Sequence, residues 1–399
     1  TGLSVLGSRR GADARYRTMD EAIRWSAELL PAEARMLWRL LSVFRGGFTV
    51  AASVRRAEML GRARIAAELP RLLTASLVRQ ISVQGEAPRF SMLEPVRMVA
   101  AEELAASGEV RRVMDAHAAY FSAAAVAASG LHMGPGGGEG EARAFFSGER
   151  ANLLAALDHL LNTGQVAAAL PLAVALGFWW EHEGTLKDGF VWLSRVIAAD
   201  DGAGAARDRW LVRSIAALLA LQGGDPGEVR RLAAAALEIA RAAGDEEGEA
   251  MAEVLLGCWQ QTFSEDHARA MERLNRALLL AQSAFDRDPG AWLPLAFGAN
   301  LRATYRFYSE GETEQSLADF ETSIETFRAH GSVTLLGMPM VNMAAVLQVL
   351  GRRSEAMERV EEALQLSRAY DQPLVQVNAA MRMASLLSEE PGREAAVAS

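Results

Sequence analysis

Histidine and cysteine are the side chains that most often bind metals or act as nucleophiles, and both are sparse in this chain. Its six histidines stand apart, and none forms the H-E-x-x-H pattern that places two zinc ligands on one helix face. Cys258, the only cysteine, lies beside Trp259 in an apolar segment, where an inert buried thiol is expected. The G-x-S-x-G turn of many hydrolases is also absent from the sequence. We therefore predict no catalytic residue and no metal site.

Lys187 is the only lysine, and it decides whether this chain could hold the phosphates of ATP. A P-loop requires G-x-x-x-x-G-K-[ST], because its lysine reaches the phosphates and its hydroxyl holds magnesium. Lys187 is followed by Asp188 and preceded by no glycine-rich loop. The chain is therefore expected to bind no cofactor itself and not to be an enzyme.

The composition is typical of a helical protein with more than one domain. The chain has 399 residues, of which 50% are hydrophobic and 23% charged, with only 7% aromatic. A single cysteine cannot form an internal disulfide, and no apolar run approaches the roughly 18 residues that a membrane span needs. We expect a cytoplasmic protein with no membrane contact.

Charge is distributed unevenly along the chain. Residues 1–120 contain 18 arginines and 13 acidic residues, whereas the whole chain carries a net charge of -9. A basic first third could face a nucleic acid, but an ordinary charged surface explains the same count and is favoured. The candidate contacts, with either DNA or a neighbouring ATPase domain, are Arg55, Arg56, Arg62 and Arg64.

Residues 18–115 carry the pattern of a winged helix. Amphipathic periodicity predicts several short helices, of which the last before the wing covers residues 64–76. Alternating runs at 77–83 and 89–93 then predict a two-stranded hairpin, and Pro95 opens another helix. The helix at 64–76 has an acidic residue and a proline in its middle, which makes it a poor reader of the DNA major groove.

The second half of the chain repeats. Segments beginning at Ala236, Ala277, Ser323 and Ala363 align as the second helix of a helical hairpin, at spacings of 41, 46 and 40 residues. Such spacings are typical of long helical repeats. The small residues expected where neighbouring helices cross are Ala277, Ala303, Ala344 and Ala363.

These patterns predict a mainly α protein, with a winged-helix domain followed by a tetratricopeptide-like α-solenoid. We expect a helical connector with the first sensor hairpins over residues 116–200, the repeats over 201–390 and a disordered tail over 391–399. Stacked hairpins form a concave groove that can bind a protein or a small molecule. The candidate groove residues, for which core packing is the alternative, are Trp179, Trp180, Arg302, Tyr305, Arg306 and Tyr308.

A longer motif covers the winged-helix segment and continues beyond it. Its matching residues are Trp25, Ser26, Leu29, Leu30, Arg35, Leu37, Arg39, Leu40, Ser42, Val43, Phe44, Gly46, Gly47, Phe48, Thr49, Phe90, Met92, Leu93, Glu94, Val96, Arg97, Glu149, Asn152 and Leu153. In this pattern the chain resembles the winged-helix and repeat portion of bacterial, actinobacterial-type STAND/NB-ARC ATPase transcriptional regulators (LuxR-type, AfsR-like and MalT-like). Pro95, Met98 and Val99 depart from the family pattern.

The resemblance implies a regulatory role in signal transduction. In that family an ATPase domain exchanges ADP for ATP, so ATP or ADP is expected on a domain upstream of this chain, with residues 1–17 as its tail. The winged helix would brace that domain in cis and relay the state of the repeats, which bind an effector. Direct DNA binding by the winged helix and a free-standing interaction adaptor remain as alternatives.

Overall fold

The computed structural model describes residues 19–81, 88–132, 138–183, 185–264, 266–311, 313–370 and 372–388. The chain forms two compact units. The first contains the described residues up to Val126 together with Ala144–Gln165, and the second contains Ala127–Arg143 and the described residues from Val166 onward. The tails expected at 1–17 and 391–399 lie outside the described residues.

The fold is mainly α, with a winged helix followed in the sequence by a tetratricopeptide-like solenoid, which confirms the predicted fold class. The elements of the winged-helix region are α1 (19–28), α2 (Ala32–Leu41), β1 (Phe48–Thr49), α3 (Val50–Met59), a 3-10 helix (Ala63–Glu68), α4 (Leu69–Thr74), β2 (Arg79–Ile81), β3 (Arg89–Ser91) and α5 (Glu94–Ala106). Helices α6 (Val110–His132) and α7 (Glu139–Asn162) follow.

A three-stranded antiparallel sheet joins the wing to the end of α2. Strand β3 lies in the middle and pairs with β1 through Phe48 and with β2 through Gln80. The sequence predicted only the hairpin, because a strand of two residues is too short to show an alternating pattern. Gly47 leads into β1 with a φ of 97°, and a Cβ there would lie 2.7 Å from the Phe90 carbonyl oxygen. Only glycine fits this approach of two strands.

The helix predicted over residues 64–76 is divided. Residues Ala63–Glu68 form a 3-10 helix, and α4 begins only at Leu69. Pro70 explains the break, since proline lacks an N–H and its ring clashes with the carbonyl of the preceding turn. The element before the wing is therefore a six-residue α-helix rather than a long one.

The second unit continues with paired helices. They are α8 (Val166–His182), α9 (Leu186–Ala199), α10 (Ala206–Gly223), α11 (Pro226–Ala243), α12 (Glu246–Phe263), α13 (His267–Arg287), α14 (Leu293–Tyr305), α15 (Thr313–Ala329), α16 (Gly337–Val349), α17 (Arg353–Ala369) and α18 (Pro373–Ser388). A π turn (Arg306–Glu310) extends α14, and a 3-10 turn (Val333–Leu335) precedes α16. Within the described ranges, no helix has both the length and the apolar character needed to cross a membrane.

The repeat pattern seen in the sequence is confirmed by burial. Ala236, Ala277, Ser323 and Ala363 lie at matching places on α11, α13, α15 and α17, and all four are fully buried. Small side chains here let adjacent helices approach closely. Ser323 also donates its hydroxyl hydrogen to the Ala296 carbonyl oxygen at 2.8 Å, which satisfies the one polar group of the four.

Candidate functional site

Asn152 on α7 holds the glycine loop that follows α2. Its Oδ1 accepts a hydrogen bond from the backbone N–H of Arg45 at 2.7 Å, and its Nδ2 donates to the Gly47 carbonyl oxygen at 3.0 Å. The side chain is fully buried. One asparagine thus supplies a hydrogen-bond acceptor and a donor to backbone groups of this turn, which burial would otherwise leave unsatisfied.

Glu149, one helical turn before Asn152, connects the same helix to the wing. Its Oε2 accepts from Asn152 Nδ2 at 2.6 Å, and its Oε1 forms an ion pair with Arg89 on β3. Arg89 also donates to the Gly148 carbonyl oxygen at 3.1 Å. We call Gly47, Arg89, Glu149 and Asn152 the polar joint, because they fasten the glycine loop, β3 and α7 to one another. The sequence motif contained Glu149 and Asn152, but their partners become visible only in the fold.

A basic cleft of about 260 Å³ opens beside the glycine loop and is lined by Arg45, Arg79, Glu94 and Arg97. Arg97 donates to Glu94 at 2.8 Å and to the Ser42 carbonyl oxygen at 3.2 Å. This hydrogen-bonded arginine holds the pKa of Glu94 below its usual range. The cleft is therefore lined by three guanidinium groups and one carboxylate, and that carboxylate is already hydrogen-bonded to Arg97.

The guanidinium of Arg45 is the most available cation of the basic cleft. It has no hydrogen-bond partner among the residues that the structure describes. Burial lowers its pKa, and the charge of Arg97 lowers it further, because two cations face the same space. An incoming anion would relieve this repulsion, so the cleft is suited to a phosphate or carboxylate group.

The four arginines proposed as contacts do not form one surface. Arg55 is exposed and pairs with Glu58 at 3.2 Å, whereas Arg62 is partly buried and donates to Glu109 at 3.2 Å. Arg64 is exposed.

Arg56 is buried, whereas a contact with DNA or with another domain requires an exposed side chain. Helix α3 buries one face containing Ala52, Ser53, Arg56 and Ala57, so the side chain points into the core. Its Nη2 donates to the Leu40 carbonyl oxygen, and Cζ lies 4.2 Å from the centroid of the Phe44 ring. Burial lowers its pKa to about 9.

Helix α1 and the turn that follows it present apolar side chains to solvent. Trp25 is 64% exposed and Leu29 is 68% exposed, and we call this pair the α1 face. A pocket of about 430 Å³ adjoins it, lined by Leu29, Leu30, Pro70 and Thr74 among others. Large exposed apolar side chains that lie together are typical of an interaction surface.

Three of the predicted groove residues belong to the core of the second unit. Trp179 and Trp180 are 6% and 2% exposed, and Tyr305 is 2% exposed. Helix α8 is apolar on every side, which buries both neighbouring tryptophans. Burial raises the pKa of Tyr305. The structure therefore places these three rings in the core, which was the alternative interpretation of the sequence.

Arg302 and Arg306 converge on Asp319, a residue that the sequence did not single out. Arg302 contacts the two carboxylate oxygens at 2.8 and 2.6 Å, and Arg306 contacts one of them at 2.8 Å. Arg302 also donates to Asn275 Oδ1 at 3.1 Å. Tyr308, in the π turn, is 58% exposed. Of the six predicted groove residues, it is the one that presents its ring to solvent.

Metal-binding geometry is absent from the part of the chain that the structure describes, where no three His, Cys, Asp or Glu side chains converge. Cys258 is buried, and burial raises its thiol pKa to about 11. A thiol with such a pKa is protonated at neutral pH and is a weak nucleophile.

Comparison with known proteins finds relatives among bacterial regulators. Over 195 residues the chain is 31% identical to proteins named "Putative HTH-type transcriptional regulator" from Mycobacterium bovis and from two strains of Mycobacterium tuberculosis. The match covers 48% of this chain and 22% of each relative. The chain thus spans less than a quarter of the length of these relatives. No family model matches the sequence.

Two solved structures are similar to the chain at low sequence identity. One is BtubC (BKLC) from P. vanneervenii, at 16% identity and a TM-score of 0.41, covering 55% of this chain and 91% of that one. The other is a STAND protein with a tetratricopeptide repeat sensor from Pyrococcus horikoshii, at 13% identity and a TM-score of 0.49. It covers 90% of this chain and 54% of that one.

Proposed function

We propose that this chain is the regulatory portion of a STAND-type signalling ATPase that controls transcription. In this role the repeats of the second unit bind a protein or small-molecule effector, and the winged helix relays its presence to an ATPase domain in cis. The chain acts as a regulator rather than as a catalyst, and the ADP or ATP is held by the ATPase domain. The similarity to mycobacterial proteins named as HTH-type transcriptional regulators supports a role in transcription.

The polar joint is the observation that carries the relay. Asn152 and Glu149 lie on α7 and hold the glycine loop and strand β3 through buried hydrogen bonds. Buried polar networks are specific in geometry, because each broken partner leaves an unsatisfied group. A displacement of α7 would therefore move the loop and the wing with it, rather than slide past them.

Two surfaces of the first unit support a protein partner. The α1 face exposes Trp25 and Leu29, and the basic cleft holds Arg45 without a partner among the described residues. An ATPase domain could cover the apolar pair and place an anionic group in the cleft. These features favour a relay over a free-standing adaptor.

Direct DNA binding is the second candidate, and the geometry favours it less. The helix before the wing has six residues, so it is about 9 Å long, which is short for a recognition helix. Arg56 is buried and Arg62 is already paired. A gel-shift titration with duplex DNA at low salt tests this candidate. A complex that weakens steeply with salt and with Arg55→Gln would favour DNA binding.

The relay is tested by loosening the polar joint in the full-length gene product. Asn152→Ala removes both bonds to the glycine loop, and we expect the ATP hydrolysis rate and the transcription of a reporter to change at least several-fold. Asn162→Ala is the matched control, because Asn162 is exposed on the same helix and its side chain bonds only to Asp158 among the described residues. Both variants would be checked for folding by circular dichroism.

Two results would contradict the proposal. One is a full-length product that neither binds nor hydrolyses ATP. The other is a reporter output that is the same for Asn152→Ala, Asn162→Ala and the wild type, while the folded fraction is unchanged.

A further inference from the structure

A trough on the second unit combines an apolar surface with a cation that has no carboxylate partner among the described residues. Helix α11 lines it from Pro226 to Glu238, and α12 contributes Trp259 and Phe263. It encloses about 700 Å³ and lies apart from the predicted groove residues, none of which lines it. We call it the α11–α12 trough.

The floor and wall of the trough suit a bulky apolar side chain. Ala234 and Ala235 are small and partly exposed, so they leave room above α11. Trp259 is partly exposed, and Phe263 is 40% exposed. The indole N–H of Trp259 makes no hydrogen bond within the described chain, so no polar partner fixes the orientation of the ring. Aromatic rings in such a position contribute strongly to recognition when covered.

Arg230 gives the trough its charge preference. Its Cζ lies 5.4 Å from the centroid of the Trp259 ring, and it has no carboxylate partner among the described residues. The neighbouring Arg231, by contrast, pairs with Glu228. A guanidinium over an aromatic ring still has N–H groups available, and these match a carboxylate in two parallel hydrogen bonds.

The length of the trough matches a short extended peptide. From Pro226 to Glu238, α11 rises about 18 Å, which equals about five or six residues of extended chain. Glu238 lies about 12 Å along the helix from Arg230, so the two ends of the trough carry opposite charges. A bound peptide would place its acidic end at Arg230 and avoid a carboxylate at Glu238.

We propose that the α11–α12 trough binds an extended segment of a partner protein in which an aspartate or glutamate adjoins a bulky apolar residue. The apolar side chain covers Trp259 and Phe263, and the carboxylate pairs with Arg230. This inference rests on the proposed role of the second unit as the effector-binding part, and it names the chemistry of the effector and its site.

The experiment selects random hexapeptides, displayed on phage, against the full chain, and then measures the affinity of the enriched peptides by calorimetry. We expect enriched peptides to carry Asp or Glu next to Leu, Phe or Trp. Arg230→Gln should weaken their binding about 10-fold, a loss of about 1.4 kcal/mol. Replacing the acidic residue of the peptide by its amide should weaken binding to the wild type equally and have little further effect on the variant.

Arg368→Gln is the matched control, because Arg368 is an exposed arginine on α17 of the same unit. It should leave affinity unchanged within twofold. Selection that yields no Arg230-dependent peptide, or peptides that bind both variants equally, would overturn the assignment. Peptide affinity is measured without the ATPase, so a reporter that ignores a tightly bound peptide would contradict the proposed function and leave the site standing.

Discussion

Buried charge is accommodated in opposite ways at Arg56 of the first unit and at three carboxylates of the second. In the first unit, Arg56 is buried without a carboxylate partner among the described residues, and burial lowers its pKa to about 9. In the second unit, the buried carboxylates of Asp200, Glu253 and Asp319 each contact two arginines. At Arg56 the first unit therefore holds a buried charge with no opposite charge beside it, whereas the three carboxylates of the second unit connect neighbouring helices.

Asp200 illustrates the second arrangement. Burial by itself would raise its pKa, but hydrogen bonds from the Gly202 N–H, Arg209 and Arg213 hold that pKa below the usual range. The contrast with Arg56 teaches that burial of a charge says little about its effect on stability until its partners are known. Removing one of these carboxylates should therefore weaken the second unit, whereas removing the charge of Arg56 should strengthen the first.

The largest expected effect is in the second unit. Asp319→Ala leaves Arg302 and Arg306, which are about one-fifth exposed, without their shared carboxylate. We expect the free energy of unfolding of this unit to fall by about 3 kcal/mol, as when one partner of a buried ion pair is removed. Urea denaturation followed by circular dichroism measures the loss. Glu238→Ala, an exposed position, is the control and should change stability by less than about 0.5 kcal/mol. If both variants lost the same free energy of unfolding, the buried carboxylate would not be a source of stability in the second unit.

A glycine substitution separates charge from packing as the source of stability in the second unit. A Cβ at Gly248 would lie 2.7 Å from the indole of Trp210 and 2.8 Å from the Ala240 methyl group. Gly248→Ala should therefore lower the free energy of unfolding by about 2 kcal/mol through overpacking. Gly223→Ala, on α10 with open space around the new methyl, should instead be neutral or stabilising by up to about 1 kcal/mol. Thermal unfolding of the two variants side by side decides this, and a tolerated methyl at Gly248 would show that the interface can relax.

Acid should weaken the first unit through His117. Burial, and then the charge of Arg56, lowers the pKa of this ring to about 3 from 6.5. The folded state thus binds fewer protons than the unfolded one, so stability is complete above pH 6.5 and is lost as pH falls toward 3. The loss between pH 7 and pH 5 is about 2 kcal/mol. His117→Leu removes this component, so the gap between wild type and variant should widen as the pH of urea denaturation is lowered. A gap that is constant with pH would mean that the ring has the same pKa in the folded and unfolded states.

The smallest effect has the opposite sign to the loss at Asp319. Arg56→Met keeps most of the side-chain volume and removes a buried cation whose Nε and Nη1 lack hydrogen-bond partners in the described chain. We expect a gain of about 1 kcal/mol in the stability of the first unit, seen as a higher urea midpoint. Arg55→Met is the matched control on the exposed face of α3 and should be nearly neutral. Destabilisation by Arg56→Met would show that the bond to Leu40 and the contact with Phe44 outweigh the cost of burial.

Helical periodicity carried most of the fold prediction, and it failed where elements are short. The repeat register was read correctly from Ala236, Ala277, Ser323 and Ala363, because small residues recur wherever helices cross. Strand β1 was missed, since two residues show no period. The break in the helix before the wing could have been predicted from Pro70. A proline in the interior of a helix interrupts its continuous series of backbone hydrogen bonds.

The sites were harder to predict because residue type says little about orientation. Arg56 was grouped with surface arginines, although Ala52 and Leu60, four residues to either side, mark its face of α3 as buried. The partners of Asn152 are about 105 residues away along the chain, a separation that no local pattern contains. Asp319 was overlooked because a single acidic residue on a polar helix resembles solvated surface until its arginines are placed.

The pairs that connect successive hairpins also bear on how such an array can evolve. Arg241 with Glu253, Arg302 with Asn275 and Arg328 with Glu362 differ in chemistry and position from one junction to the next. Arrays joined by interchangeable contacts can gain or lose a repeat by unequal recombination. Here a duplicated hairpin would meet a neighbour with mismatched side chains, so the order and number of repeats would be conserved more strictly than the individual helix sequences.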